Sequence, residues 1–168
     1  MPQAVVHVLF TIIAIDLFRD YLIKDKRKIP LVFVFLGGIA GLLPDADIPL
    51  FWIIKHFLGI QVEWFHRTFS HSLVAFGLLA LIAMLVYRWR EKWGILAAIV
   101  AFGVGFHIVL DFVFAGYIMP LYPFSTAVAG LDLIGRSGLE SAAAGFDAIV
   151  LLAWLWHEEK KHKISDFI

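Results

Sequence analysis

Apolar residues run through this chain in long blocks, and polar residues fill the short intervals between them. The first block, Ala4 to Ile23, is as long as a helix needs to cross a hydrocarbon core of ~30 Å at ~1.5 Å per residue. The second, Ile29 to Leu43, is shorter and carries Gly37 and Gly41 at the spacing that lets two helices approach closely. Pro44 and Pro49 end it. Leu50 to Ile60 is apolar but too short to cross, which predicts an interfacial or re-entrant helix anchored by Trp52 and Lys55. Gln61 to Ser70 is a polar approach to the third block, Ser72 to Trp89. The fourth, Trp93 to Tyr117, places Ala97, Ala101 and Gly105 on a small-residue face. Met119 to Gly138, with Pro120 and Pro123, predicts an irregular segment. Leu139 to Trp156 is the fifth block, followed by a mixed-charge tail from Glu158 to Lys163. There is no internal repeat. The pattern predicts an all-α fold: a polytopic membrane helix bundle of about five transmembrane helices plus a short interfacial or re-entrant helix, in one integral-membrane domain over residues 1–168.

Composition strengthens that picture. Of 168 residues, 61% are hydrophobic and 17% charged, far from the balance of an ordinary soluble domain. The first block lacks a basic leader and a small-residue cleavage site, so it reads as a retained span rather than a signal peptide. The formal net charge of zero gives no reason to expect a nucleic-acid partner. The aromatic residues read as bilayer-facing and interfacial bulk rather than as a platform for stacking bases. With no cysteine, disulfides and thiolate metal sites are excluded, and any metal ligands must be His, Asp or Glu.

Charge distribution sets an orientation. Lys24, Lys26, Arg27 and Lys28 follow the first span, Arg88, Arg90 and Lys92 the third, and the basic tail the fifth. The positive-inside rule makes all three cytoplasmic, which predicts a multi-pass protein of the cell membrane with its N-terminus outside and its C-terminus in the cytoplasm. His7, Asp45, Asp47, His66 and His71 then lie at the outer ends of spans. Helical rise puts Asp111 ~7–9 Å, Asp147 ~12 Å and His107 ~13–15 Å below the outer surface. Nearly every intramembrane ionisable group converges on one leaflet, and Asp16, paired with Arg19, is the exception.

The candidate chemistry follows from that convergence. His66-Arg67-Thr68-Phe69-Ser70-His71-Ser72 packs two imidazoles, a guanidinium and three hydroxyls in front of an apolar run. His107 and Asp111 are four apart and share a helical face, a spacing at which imidazole and carboxylate can ligate one ion. In a soluble helix they would read as a hydrogen-bonded pair. Inside a span an ionisable group costs ~2.5–3.5 kcal/mol and calls for a function. Asp45 and Asp47 sit between two prolines, where a turn is the plainer explanation, but two carboxylates opposite a histidine cluster suggest ligands. His66 and His71 are five apart, poor spacing for one helical face, and converge only if His66 lies in the loop. Ser70 or Thr68 can instead be a helix N-cap. Arg67 has the planar fork that suits phosphate, with snorkelling to headgroups as its alternative. His7 can be a ligand or a hydrogen-bonding partner of a neighbouring helix, and Asp147 a ligand or a group that orients a histidine. The metal candidates are therefore His7, Asp45, Asp47, His66, His71, His107, Asp111 and Asp147, and the catalytic candidates Arg67, Asp45 and His66. A sulfur-free set fits Zn²⁺, or less well Mn²⁺ or Fe²⁺, as one ion or two. With an open position such a site activates water and polarises a phosphoryl or carbonyl oxygen, which predicts hydrolysis.

Leu42-Leu43-Pro44-Asp45-Ala46-Asp47-Ile48-Pro49, then His66 to Ser72, then His107 with Asp111 and Leu121-Tyr122-Pro123, resemble the YdjM-like inner-membrane proteins, described as predicted membrane-bound metal-dependent hydrolases. His7 falls where that family tends to have an early histidine. Ile48 and Phe114 stand where many members have histidine and threonine. The order of ligands is also similar to that of zinc-dependent phospholipase C and P1-type nucleases, but their further histidines are missing. The resemblance implies an inner-membrane, metal-dependent hydrolase. The reading joined to it is a phosphoesterase acting on a lipid or amphiphilic phosphoester from the outer leaflet, with membrane lipid as its other partner. The alternatives are an ion or metal transporter and a structural protein whose metal only staples helices. Against transport, no polar path except Asp16 continues to the cytoplasmic side.

Overall fold

A computed structural model describes residues 4–60, 66–134 and 140–162. Among them the structure is helical, with one isolated antiparallel bridge, Ile118 to Ala129, and no strand. The helices are α1 (Ala4–Leu22), α2 (Leu31–Ala40), α3 (Asp47–Trp52), α4 (Leu73–Trp89), α5 (Glu91–Leu110) and α6 (Glu140–His162). α3 continues as a π-turn over Ile53–Phe57, and α5 as another over Asp111–Ala115.

Three apolar blocks become helices with nearly the expected limits. α1 ends one residue before the block does. α4 starts after Ser72, whose Oγ accepts the Ala75 N–H at 3.1 Å and so caps the helix. This fixes the cap at Ser72 rather than at Ser70 or Thr68. α5 begins two residues early, at Glu91. The second block departs most from expectation. α2 covers ten residues, ~15 Å, because the chain turns at Gly41 and enters a 3₁₀ turn at Pro44–Ala46, and α2 and residues 44–57 meet at 48°. The short apolar stretch after Pro49 is helical, as expected. The segment from Met119 is irregular as far as the described residues run; Gln61–Phe65, residues 135–139 and Lys163 lie outside them.

By length and composition, α5 with its extension (Glu91–Phe114) is long and apolar enough to cross a membrane. The bent pair of α2 with residues 44–57 is a second if it counts as one span, and α4 is shorter, at 17 residues. α1 carries Asp16, Arg19 and Asp20 in its last two turns.

α5 lies at the centre, packing on α1, α2 and α4. Its crossing with α2 is close: a Cβ on Gly103 would lie 2.5 Å from the Gly37 carbonyl oxygen, and one on Gly37 would strike Ile15 and Ile99. This is how small residues bring helix backbones together without a hydrophobic driving force from lipid. The core divides into Ile15, Ile29, Phe33, Val34 and Ile99 towards one end, and Val104, Ile108 and Ile118 towards the other. Outward-facing side chains are largely apolar, including Val32, Phe35 and Ile39 on α2 and Leu78, Leu81 and Ile82 on α4, all at least 45% exposed. Water does not favour so extensive an apolar surface.

Chain direction places the charges at two ends. Lys28 Nζ meets Glu91 Oε1 at 2.6 Å and Lys161 Nζ meets Asp20 Oδ2 at 2.8 Å, so the α1–α2 loop, the start of α5 and the end of α6 share one end. The hydrogen bond to Glu91 also raises the Lys28 pKa above its ordinary value. The start of α1, the end of α2, α3, the start of α4 and the end of α5 share the other.

Candidate metal centre

Each element at that second end delivers its side chain for a local reason. α1 contributes His7, fully buried in its first turns. Its neighbour α2 comes in close at Gly41, where a Cβ would lie 3.1 Å from the His7 carbonyl oxygen. The Gly41 carbonyl in turn accepts a hydrogen bond from His107 Nδ1 at 2.6 Å. The 3₁₀ turn after α2 turns Asp45 inward while Asp47 begins α3. Arg67 adopts φ +64, an uncommon conformation for a residue with a Cβ. Together with the 3₁₀ turn at Phe69–His71, it lets His66 and His71 face the same point despite their spacing. The π-turn after α5 begins at Asp111 and stops at Gly116, whose φ of +91 suits a residue without a side chain. The irregular segment closes over this end: Leu73 N–H donates to the Pro120 carbonyl at 2.9 Å and Leu131 N–H to the Phe112 carbonyl at 2.8 Å.

The hydrogen bonds decide which nitrogens face the centre. His107 commits Nδ1–H to Gly41, leaving Nε2 as a lone-pair donor. Ser70 gives its hydroxyl proton to Asp47 Oδ2, so its oxygen accepts from His71 Nδ1 at 3.0 Å, and His71 Nε2 is again the lone-pair nitrogen. Those two Nε2 atoms lie 3.1 Å apart. Asp45 Oδ1 is 3.4 Å from the His71 nitrogen and 3.6 Å from that of His107, and Asp111 Oδ2 is 3.5 and 3.7 Å from the same two. A shared proton would satisfy the nitrogens and leave both carboxylates aimed at the same space. A divalent cation satisfies the two nitrogens and a carboxylate together, and a tetrahedral ion with ligands at ~2.0–2.1 Å requires ligand separations of about 3.3 Å, close to the 3.1, 3.5 and 3.7 Å among His71, His107 and Asp111. The donor set therefore fits a metal. His7 with Asp45 and His107, Asp45 with His66 and His71, and His71 with His107 and Asp111 form three overlapping groups able to hold an ion.

The remaining residues surround this set. His7 stacks on the His107 ring at 3.9 Å, with Nε2 3.5 Å from Asp111 Oδ1. His66 Nδ1 donates to Asp47 Oδ1 at 2.8 Å and turns Nε2 towards Asp45 Oδ1 at 4.0 Å. Asp47 thus bonds His66 and, through Ser70, His71, and it belongs to none of the three groups. The Arg67 side chain is 5% exposed, with Nε 3.6 Å from Asp111 Oδ2 and the guanidinium 4.7 Å above the Tyr117 ring. His71 and His107 are fully buried, whereas the Asp45 side chain is 29% exposed and marks the open side.

One expected ligand is not brought in. Asp147 sits on α6, which packs against α1, and its Oδ1 accepts the N–H of Ala148. Asp16 pairs with Arg19 at 3.9 Å, as expected. Two residues at this end go unmarked by the sequence as part of it. Ser70 reads there only as a cap, although its place between two histidines in one motif is the available signal. Thr11 is fully buried one turn below His7, with no hydrogen-bond partner for its Oγ1, and nothing in the sequence marks it.

An all-helical bundle with a buried His/Asp centre at one end defines a class of membrane protein with a candidate metal site. The model of the YdjM inner membrane protein family matches residues 1–164, nearly the whole chain, and the chain belongs to that family. No curated protein and no solved structure matches it.

Proposed function

We propose that the protein is a metal-dependent hydrolase embedded in the inner membrane, acting on the phosphoester of a lipid or amphiphilic substrate at the outer-leaflet side. The observation that carries the reading is the set of four donor atoms, His71 Nε2, His107 Nε2, Asp45 Oδ1 and Asp111 Oδ2, with the imidazole protons turned away. These residues would hold the metal, with His7 beside them for a second ion. Zn²⁺ suits the donors best. When bound, a divalent cation there supplies Lewis acidity, polarising a phosphoryl oxygen and acidifying water. The chain's own residues do the rest. The Arg67 guanidinium binds non-bridging phosphate oxygens, held in place by Tyr117 and Asp111. His66, with Nδ1 fixed by Asp47, moves a proton at Nε2 to the leaving oxygen. The exposed Asp45 carboxylate lines the approach.

The same reading takes α1, α4, α5 and α6 as spans and the bent α2 pair as a fifth, N-terminus outside. It rests on the basic clusters and on the placement of Lys28, Glu91 and Lys161 at the end away from the centre. A C-terminal tag labelled only from outside intact cells would reverse the orientation.

A structural staple is the second reading, and one observation favours it: carboxylates approach the His71–His107 nitrogen pair from both Asp45, at 3.4 and 3.6 Å, and Asp111, at 3.5 and 3.7 Å, as protein ligands do in closed structural sites. Turnover of a fluorogenic lipid phosphoester by wild type and Arg67→Lys at matched metal loading separates the two. The hydrolase reading expects at least a tenfold lower rate in the variant, about 1.4 kcal/mol of transition-state stabilisation, because lysine keeps the charge and loses the fork. Equal rates would remove Arg67 from the site, and absence of turnover with a full metal complement would favour the staple.

A further inference from the structure

α1 and α4 flank α5 and leave an apolar cleft of about 760 Å³ between them. Ile15 and Phe18 of α1 form one wall and Phe76 and Ala80 of α4 the other, and the small side chains of Ala98 and Ala101 on α5 make the floor. The cleft starts at Leu73 and Val109, each within two residues of a ligand candidate, and runs to Tyr87. On α4 that distance is ~21 Å, longer than one ~15 Å leaflet. At the far end the two backbones close, with a Cβ on Gly94 falling 2.2 Å from Tyr87 Cα.

We propose that this cleft seats one extended acyl chain of the membrane lipid whose phosphate is held at the His71–His107–Asp45–Asp111 centre. The proposal rests on the hydrolase reading above and names its substrate class: an acylated phosphoester, not a soluble phosphate. Two observations support that occupant. The cleft is continuous with the apolar outer faces of α4 and α5, where Leu81, Ile82 and Val109 are exposed. It begins beside the cluster that carries Arg67, so an anionic head and an apolar tail find complementary ground in the order a lipid presents them.

The test uses the full chain in phosphatidylcholine nanodiscs doped with phosphatidic acid bearing a diazirine midway along one acyl chain. After photolysis, adducts should concentrate on Ala80–Met84 and Ala98–Phe102, at least fivefold above the outward α2 positions Phe35 and Ile39. Ala98→Phe, at an exposed position on the cleft floor, should cut those adducts at least fivefold; Ala80→Leu is the second variant if the first lowers thermal stability. Even labelling of cleft and outer face would overturn the proposal. So would a disulfide-linked dimer of Ala98→Cys, the protein's sole thiol, because a second copy would then occupy the cleft. Labelling of the cleft without hydrolysis of that lipid would keep the seat and refute the hydrolase reading. Hydrolysis unaffected by Ala98→Phe would keep the hydrolase and refute the seat.

Discussion

The two ends of the bundle both bury charge, and they do it differently. At the end with the basic loops, Asp20 meets Arg19 at 3.2 Å, Lys26 at 2.8 Å and Lys161 at 2.8 Å, while Asp16 lies 3.9 Å from the same arginine. Carboxylates there are matched by cations from the chain. At the opposite end Asp45, Asp47 and Asp111 face a single guanidinium, and that one stands 3.6 Å off. Counting only the carboxylates and that guanidinium, two negative charges are left over, the charge that one divalent ion would balance. A buried ion pair that closes on itself ties helices together; a cluster short of two positive charges is one that a divalent ion could complete, and its carboxylates are costly to bury otherwise.

The sharpest way to break this comparison is to cut one residue from each end. His107→Ala or His71→Ala removes a donor nitrogen, and bound metal per protein should fall more than tenfold, while His162→Ala leaves it unchanged. Asp20→Asn should do the reverse. It strips the hub of a buried pair network, at a cost of about 3 kcal/mol, and lowers the unfolding midpoint in detergent without changing the metal ratio. Elemental analysis and thermal unfolding on the same preparations read both. Metal loss in Asp20→Asn, or full metal in both histidine variants, would mean that the ends do not differ in kind.

A smaller effect separates the two serines of one motif. Ser70 joins Asp47 to His71 Nδ1, so Ser70→Ala frees the ring to rotate and should weaken zinc binding ~10–100-fold. Ser72 caps α4, so Ser72→Ala should cost about 1 kcal/mol of stability and leave zinc affinity unchanged. Competition with a chelator of known affinity distinguishes them. Equal affinities in the two variants would take Ser70 out of the centre.

Much of this was legible in the sequence because it depends on composition and rise. Blocks of apolar residues bounded by charge set α1, α4 and, counted with its π-turn, α5 to within two residues, and one orientation rule gathers the ionisable groups at one end. What the sequence hid depends on backbone detours. α2 stops at ten residues although Leu42 and Leu43 are apolar, because the turn at Gly41 and the 3₁₀ geometry at Pro44 redirect the chain. The five-residue spacing of His66 and His71 looked unfavourable and is resolved by the left-handed backbone of Arg67. That Asp45 and not Asp47 falls in the groups able to hold an ion follows from which oxygen meets which side chain, and no periodicity carries that.

Asp147 isolates the last of these limits and gives the smallest predicted effect. Counting rise from the paired Asp20 and Lys161, His7 lies ~20 Å up α1 and Asp147 ~21 Å up α6, so Asp147 stands level with His7 rather than ~12 Å below the outer end. Depth is not lateral position. α6 packs on α1, which stands between it and much of the bundle, and Asp147 bonds to its own helix at Ala148. Asp147→Asn keeps the shape and removes the charge. Bound metal should stay within experimental scatter and stability within about 0.5 kcal/mol, as for a surface substitution away from any buried network. A metal ratio lowered by half or more would mean that α6 turns Asp147 towards His7, and the centre would then gain a third carboxylate ligand.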